Sequence, residues 1–322
     1  YPIVKSLAET YGSDPKKGTR KKIGSFLVFS EFHSNLITSA TFMTAMAPNL
    51  VIVALAKTLH INITWLGWFV AGVVPSIICL LATPYIIYKM YPPEVKETPN
   101  AKEWANEELD KMGKMKLSEK LMGLIFILTL VLWMLTSFIP AIDATFVAFL
   151  AISLLLITGV LDTKDLLHET GAWNVLIWLS VLVYMADELS KLGFIKWFSG
   201  SIGSALHGIS WVWVLAVLII VYFYAHYFFA SATAHVTAMY AAFVSVAVAA
   251  GAPAMLTAML LAFTSTFMSS TTHYANGPAS VLSSSGYVTQ SEWWKMNFIM
   301  GIFYLLVYGI IGTLWMKVIG LW

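Results

Sequence analysis

Apolar stretches separated by short polar segments run along most of this chain of 322 residues. A straight membrane-spanning helix needs about 20 predominantly apolar residues. Stretches at roughly 62–88, 118–137, 141–161 and 293–320 fit single spans, and a further apolar stretch covers 173–207. Those at 23–59, 209–250 and 252–290 are too long for one span. The pattern predicts an all-α integral membrane protein in which these three segments are not straight helices.

Each of the three long stretches contains a cluster of small polar residues. The clusters read HSNLITSATFMTAMAPN at 33–49, SATAH at 231–235 and SSTTHYANGP at 269–278. Irregular polar backbone survives at membrane depth only where it lines a protein cavity. We therefore predict broken helices at 23–59 and 252–290 and a re-entrant hairpin at 209–250, which together line the substrate site of a secondary transporter.

The positive charges support this interpretation. Of the 19 Lys and Arg residues, six lie in residues 5–22 and seven in residues 89–120, so both segments are predicted to be cytoplasmic. Both segments can be cytoplasmic only if the chain crosses the membrane an even number of times between them. A single broken span at 23–59 followed by a span at 62–88 gives two crossings. A hydroxyl-rich break, a proline (Pro48, Pro278) and a Trp pair recur in order in both halves. We predict the end of one inverted repeat at 1–90, a cytoplasmic linker at 91–117 and a second repeat at 118–322.

Composition excludes several function classes. Hydrophobic residues make up 59% of the chain and charged residues 11%, whereas soluble domains carry about 25% charge. A net charge of +2 without a basic stripe argues against a nucleic-acid partner. The histidines lack metal-site spacing, and the one cysteine, Cys79, excludes an intramolecular disulfide. A membrane enzyme would need a catalytic carboxylate or metal cluster at membrane depth, so we expect neither enzyme activity nor a cofactor.

The polar clusters supply the candidate binding groups. Ser231 and Thr233 precede a helical pattern, where a hydroxyl can cap the helix and free N–H groups attract an anion. Asn49 and the pair Thr271–Thr272 fit the same description. Unwound carbonyls could instead hold Na⁺. The single arginine, Arg20, lies outside the predicted core.

Four segments, taken in order, resemble the divalent anion:sodium symporter family. They read GSFLVFSEFHSNLITSATFMTAMAPN, GAWNVLIWLSVLVYMADELSKLGF, HYFFASATAHVTAMY and SSTTHYANGPASVLSSSGYVTQSEWW. Within the family they are most similar to the branch of plastid 2-oxoglutarate/malate translocators and bacterial citrate, tartrate or succinate exchangers. The resemblance implies a homodimer in which an elevator-type motion carries dicarboxylates across the bilayer. It covers the later part of the family's chain, so the first helices and an entering hairpin are expected before Tyr1.

The resemblance also implies site residues. The family's Ser-Asn-Thr signature matches Ser231-Ala232-Thr233, with alanine in place of asparagine, which puts sodium coupling in doubt and favours obligate exchange. Two helices that complete the binding site in the family are each broken, and the breaks match Thr44–Asn49 and Thr271–Pro278 here. The expected substrate-binding residues are Ser39, Thr41, Thr44, Pro48, Asn49, Ser231, Ala232, Thr233, Ser270, Thr271, Thr272, His273 and Pro278.

The predicted function is exchange of 2-oxoglutarate, malate, succinate or citrate across a bacterial cell membrane, a plastid inner envelope being the alternative location. The alternative function is Na⁺-coupled symport of the same anions, with Na⁺ near Thr44 and Thr233.

Overall fold

A computed structural model of the chain describes residues 1–98, 101–139, 141–170, 208–229 and 231–322, with scattered positions between 172 and 197. All regular structure in these residues is helical. The predicted apolar stretch at 173–207 lies for the most part outside them. The α-helices are α1 (Pro2–Thr10), α2 (Gly24–Thr41), α3 (Ala47–Thr58), α4 (Trp65–Met90), α5 (Ala101–Met112), α6 (Leu117–Leu135), α7 (Ala144–Ile157), α8 (Thr163–His168), α9 (Trp211–Ala225), α10 (Ala232–Ala249), α11 (Ala254–Phe267), α12 (Gly277–Ser283), α13 (Gln290–Leu306) and α14 (Thr313–Val318).

Several helical segments are long and apolar enough to cross a membrane. In the described part of the chain they are Trp65–Met90, Leu117–Leu135, Trp211–Phe228, Ala232–Ala249 and Gln290–Val318. The last combines α13 and α14 through a π-helical turn at Val307–Gly312. Their length and composition agree with an integral membrane protein.

The three long apolar stretches are interrupted at their polar clusters. The first break, Phe42–Met46, separates α2 from α3. A 3₁₀ turn, His226–Phe228, and the residues up to Ser231 separate α9 from α10. The third break follows α11, where a 3₁₀ turn at Met268–Ser270 leads to the non-helical segment before α12.

The chain forms two compact units, and each unit is built from segments that are not contiguous in the sequence. The larger comprises residues 1–63, 68–94 and 179–322, and the smaller comprises residues 64–67 and 95–178. In the smaller unit α6 packs against α7, and the Trp133 indole donates a hydrogen bond of 3.1 Å to the Ala144 carbonyl. All three breaks belong to the larger unit.

Helix α11 forms the centre of the larger unit. Every residue from Leu256 to Phe267 is buried, and the helix packs against α2, α3, α9, α10 and α13. Its Thr264 and Ser265 hydroxyls each donate a hydrogen bond of 2.7 Å to the carbonyl one turn back. These two hydroxyls are satisfied inside the buried helix, whereas the buried Thr257 hydroxyl of the same helix has no partner among the described residues.

Three buried hydroxyls form a hydrogen-bonded series in the larger unit, and we call this series the buried hydroxyl chain. The Thr41 hydroxyl lies 2.7 Å from that of Ser76, which in turn lies 2.7 Å from the Tyr308 hydroxyl. Tyr308 sits in the π-helical turn, where the Thr313 hydroxyl donates to the Gly309 carbonyl at 2.6 Å. The chain joins the end of α2 to α4 and to the last membrane-spanning segment.

A second polar cluster, the arginine junction, lies beside the start of α13. The Arg20 guanidinium donates two hydrogen bonds to the Glu292 carboxylate, at 2.7 and 3.0 Å, and others to the Tyr91 hydroxyl and the Tyr287 carbonyl. Tyr91 itself donates to Glu292 at 2.6 Å. Burial and this hydrogen bond raise the pKa of Tyr91, so its phenol stays protonated and remains a donor. The junction connects the segment before α2, the end of α4 and the start of α13.

Candidate functional site

The first break is held by side chains that satisfy the exposed carbonyls at the end of α2. The Asn49 amide donates to the carbonyls of Ser39 and Phe42, at 2.9 and 3.2 Å, and the Trp68 indole donates to the Ala40 carbonyl at 2.8 Å. The last carbonyls of a helix have no partner within that helix, so such donors fix where it ends.

Asn49 therefore acts differently from the helix cap predicted from the sequence, and that prediction is wrong. The N-cap of α3 is Met46, which makes no side-chain cap, whereas buried Asn49 lies in the first turn and points back to α2. Its carbonyl oxygen accepts a hydrogen bond of 3.4 Å from the Thr266 hydroxyl of α11. One side chain thus ties the first break to the central helix.

At the hairpin tip between α9 and α10 only one of the two predicted capping hydroxyls acts as a cap, because Thr233 lies inside α10 as its second residue. Ser231 is the N-cap of α10, and its hydroxyl accepts a hydrogen bond of 3.5 Å from the Ala234 N–H. The next N–H, of Ala232, donates to the Ala275 carbonyl at 3.3 Å, and the Tyr274 hydroxyl donates to the Tyr227 carbonyl at 3.4 Å. Two contacts therefore hold the tip against the third break.

In the third break most hydroxyls are used locally. Buried Ser270 and Thr271 each donate a hydrogen bond of 2.8 Å to the carbonyl three residues earlier. Buried Thr272 differs, because its hydroxyl has no partner among the described residues. The Thr271–Thr272 pair does not cap the next helix as predicted. Asn276 caps α12 instead, accepting from the Ala279 N–H at 2.7 Å.

The remaining candidate residues occupy varied environments. Ser39, Thr44 and Thr233 are partly exposed, Ala232 and Pro48 are buried in the first turns of their helices, and Pro278 is exposed at the start of α12. The His273 ring lies 3.4 Å from the Trp294 indole, which donates to it. Thr41 is directed elsewhere, since its hydroxyl joins the buried hydroxyl chain. The structure brings the tip and the third break together, and α3 packs against α10.

Sequence reasoning missed a contact between two histidines at the hairpin. His226 and His235 are both buried, and their Nδ1 atoms lie 3.1 Å apart. The two rings stack at 5.3 Å between centroids, and Phe229 stacks on His235 at 4.4 Å. The residues are nine positions apart, a spacing that no helical periodicity connects, so only the reversal of the chain brings them together.

The described residues hold no group of three or more His, Cys, Asp or Glu side chains that could bind a metal. Helices α3 and α10 begin at the breaks, and the N–H groups at such ends attract negative charge.

A separate groove of about 500 Å³ lies between α9, α11 and the segment formed by α13 and α14. Most of its lining residues, such as Leu215, Leu260 and Ile302, are apolar, so the groove does not suit a carboxylate.

Comparison with known proteins agrees with these features. Residues 1–322 match the family described as the sodium:sulfate symporter transmembrane region. The chain is 48% identical over 323 residues to YflS of Bacillus subtilis (strain 168), which is named for malate transport, and covers 67% of that protein. It is 42% identical over 328 residues to chloroplastic dicarboxylate transporter 1 of Spinacia oleracea, covering 57% of it. In both comparisons 100% of this chain is aligned.

A third relative is an exchanger by name. The L-tartrate/succinate antiporter of Escherichia coli (strain K12) is 34% identical over 321 residues, with 99% of this chain and 66% of the antiporter aligned. The chain thus spans between about half and two thirds of the length of these relatives. The match over all 322 residues confirms the resemblance seen in the motifs, and the chain belongs to the sodium:sulfate symporter family of membrane transporters, the divalent anion:sodium symporters.

Proposed function

We propose that this chain forms part of a secondary transporter that exchanges dicarboxylates, such as malate, 2-oxoglutarate and succinate, across a bacterial cell membrane. The observation that carries the proposal is the hydrogen bond from the Ala232 N–H to the Ala275 carbonyl. It joins two interruptions of apolar helices at their most polar points, an arrangement that is costly in a membrane unless it serves a binding site. Relatives named for malate, dicarboxylate and tartrate/succinate transport support this class of substrate.

The mechanism follows from the groups at the breaks. The N-terminal ends of α3 and α10 present their positive dipole ends to the two carboxylates. The hydroxyls of Thr44, Ser231 and Thr233 add hydrogen bonds without a buried cation, which would be expensive at membrane depth. Thr272 adds a buried hydroxyl that has no partner in the described part of the chain and can accept or donate. Binding by hydroxyls and amides tolerates dicarboxylates of different length.

We propose exchange rather than Na⁺-coupled symport because of the identity of one residue at the hairpin tip. Ala232 stands where the family signature has asparagine, so the tip lacks an amide that could bind substrate or shape a sodium site. If the empty site cannot cross the membrane, transport in one direction requires a dicarboxylate in the other. The Escherichia coli antiporter supports this choice, whereas the family's description as sodium:sulfate symporters supports the alternative of Na⁺-coupled uptake.

The larger-scale features of the transport cycle are part of the same proposal. Two inverted repeats, each with a broken helix, would place the first and third breaks on opposite sides of one substrate. In a homodimer, a scaffold domain would stay fixed while a transport domain that contains the breaks and the hairpin moves across the membrane as a rigid body. The contacts of Asn49 with α2 and α11 support a rigid moving unit, because they tie the first break to the central helix.

Uptake into proteoliposomes tests the function. The full-length protein is reconstituted with or without internal malate, and entry of labelled 2-oxoglutarate is followed with and without a sodium gradient. Exchange predicts uptake that requires internal malate and ignores sodium. Sodium-driven uptake into empty vesicles would establish the symport alternative instead. No uptake of any labelled dicarboxylate under either condition would contradict dicarboxylate transport.

Variants of the hairpin tip test the site. Ser231→Ala and Thr233→Ala are each expected to abolish most exchange while leaving membrane insertion normal. Ser245→Ala is the matched control, because its hydroxyl also lies on α10 but donates to the Ala241 carbonyl at 2.8 Å, away from the tip. Unchanged exchange in both tip variants would remove the hairpin from the substrate site.

A further inference from the structure

We propose that the His226–His235 pair is a positioning element that holds the hairpin tip in the form that binds substrate. The inference rests on the proposed transport function, and it assigns a role to two buried groups that do not themselves bind the dicarboxylate. Its basis is the place of the pair in the hairpin. His226 lies five residues before the capping residue Ser231, and His235 lies four residues after it.

The pair joins the two arms of the hairpin directly behind the tip. His226 begins the 3₁₀ turn that ends α9, and His235 lies in the first turns of α10. Their Nδ1 atoms are 3.1 Å apart, within hydrogen-bond distance. Among the described residues this is the side-chain hydrogen bond that links α9 and its 3₁₀ turn to α10. Helices α9 and α10 also pack against each other, and the histidine pair adds a directional bond to that packing close to the tip.

The contacts of the tip with the third break depend on the distance between the two arms of the hairpin, α9 with its 3₁₀ turn and α10. The Ala232 N–H reaches the Ala275 carbonyl at 3.3 Å, and the Tyr227 carbonyl receives the Tyr274 hydroxyl at 3.4 Å. Tyr227 belongs to the first arm and Ala232 to the second. Both contacts are long, so they persist only if the arms keep their present separation, which the histidine pair sets from behind.

The chemistry of imidazole defines the hydrogen bond that this geometry requires. Two neutral rings can share an Nδ1···Nδ1 bond only if one carries its proton on Nδ1 and the other on Nε2. Both Nε2 atoms are buried and have no partner among the described residues. The bond at Nδ1 is therefore the one polar interaction that each ring makes in the described structure, and losing it would leave a buried imidazole wholly unsatisfied.

The surroundings hold the rings without competing for that bond. Phe229 and Tyr222 pack on His235 with centroid distances of 4.4 and 4.5 Å. The Tyr222 hydroxyl is 2.9 Å from the Ser265 hydroxyl, so it is already engaged with α11. The aromatic contacts orient the rings, and the hydrogen bond sets the distance between the arms.

Substitutions at His235 separate a positioning role from mere packing. In His235→Asn the amide occupies roughly the place of Nδ1 and can still pair with His226, whereas His235→Gln places its amide near the former Nε2. His235→Leu fills the space without any polar group. Exposed His168 on α8 provides the control His168→Leu. Full-length protein is reconstituted at matched insertion levels, and the half-saturating concentration and maximal rate of dicarboxylate exchange are measured.

The proposal predicts a specific pattern of affinities. His235→Leu and His235→Gln should raise the half-saturating concentration roughly tenfold, the scale expected when a buried hydrogen bond is lost. His235→Asn should stay within about twofold of the unsubstituted protein, as should His168→Leu. Equal effects of Asn and Leu, or no effect of Leu, would overturn the positioning role.

A second readout does not depend on transport. In a Thr233→Cys variant, the rate of labelling at the tip by a small maleimide reports how open the tip is, since the native Cys79 is buried. Combined with His235→Leu the rate should rise several-fold, and combined with His235→Asn it should not. If exchange is absent from the unsubstituted protein but this labelling pattern holds, the transport function fails while the pair still fixes the tip. If exchange is present and the labelling rates are equal, the proposal about the pair fails alone.

Discussion

Replacement of Arg20 tests the energetics of the arginine junction. The guanidinium makes four hydrogen bonds, two of them the parallel pair to Glu292. Arg20→Lys keeps the positive charge but cannot reproduce the planar fork, and Arg20→Met keeps only the apolar stem. Both changes act where three distant parts of the chain meet, so they should be visible in the stability of the larger unit.

The magnitude follows from the bonds and their exposure. Hydrogen bonds to charged groups contribute about 1.5–3 kcal/mol each when well buried. The side chains of Arg20 and Glu292 are 21% and 22% exposed, which places the pair between surface and interior ion pairs. We expect Arg20→Met to lower the free energy of unfolding by about 3 kcal/mol and Arg20→Lys by about 1–2 kcal/mol.

The adjacent residue supplies the control. The Lys21 ammonium is 3.9 Å from the same carboxylate but is 54% exposed, so Lys21→Met should change stability by at most about 0.5 kcal/mol. Reversible unfolding in mixed detergent micelles gives the free energies. A double-mutant cycle with Glu292→Gln should return a coupling of at least about 1.5 kcal/mol for Arg20. If Arg20→Met is no more destabilising than Lys21→Met, the junction does not stabilise the fold.

Three further changes probe other parts of the larger unit. Asn49→Leu removes all the hydrogen bonds by which the Asn49 side chain ties the first break to α2 and α11. The free energy of unfolding should fall by about 3 kcal/mol, and the half-saturating substrate concentration should rise. Exchange kinetics equal to those of the unsubstituted protein would refute this. Tyr308→Phe interrupts the buried hydroxyl chain and should cost about 1 kcal/mol in the same unfolding assay, an unchanged value counting against the chain. Gly301→Ala would place a methyl group 2.7 Å from the buried Phe223 ring and should cost about 1–3 kcal/mol, whereas Gly123→Ala on α6 meets open space and should cost nothing. Equal stability of the two alanine variants would refute the close packing.

The sequence was informative where a residue acts on its own local backbone. Ser231 could be predicted as a helix cap because a hydroxyl just before a helical pattern has few other uses. The interruption of α2 and α3 could be predicted because polar residues accumulate where lipid tolerates none. Such signals depend only on neighbours within one helical turn.

Prediction failed where a side chain can act in two directions or at long range. Asn49 could accept a bond from α3 or donate to α2, and only the approach of the two helices decides between them. The sequence does not single out Asn276 as a cap, because Gly277 and Pro278 mark the break more strongly than the residue before them. Arg20 and Glu292 lie 272 residues apart, a separation that no local pattern spans.

The π-helical turn at Val307–Gly312 has a consequence for the register of the last membrane-spanning segment. A π turn accommodates one residue more than an α-helix of equal rise, and each residue advances a helix by about 100°. Deleting a single residue from the turn would therefore restore a regular helix and leave the residues after it close to their present orientation. Trp315, whose indole donates to the Val70 carbonyl at 2.7 Å, would still face α4. The same deletion in the regular part of α13 would rotate the residues after it by about 100°, so the segment tolerates a change in length better at this turn than elsewhere.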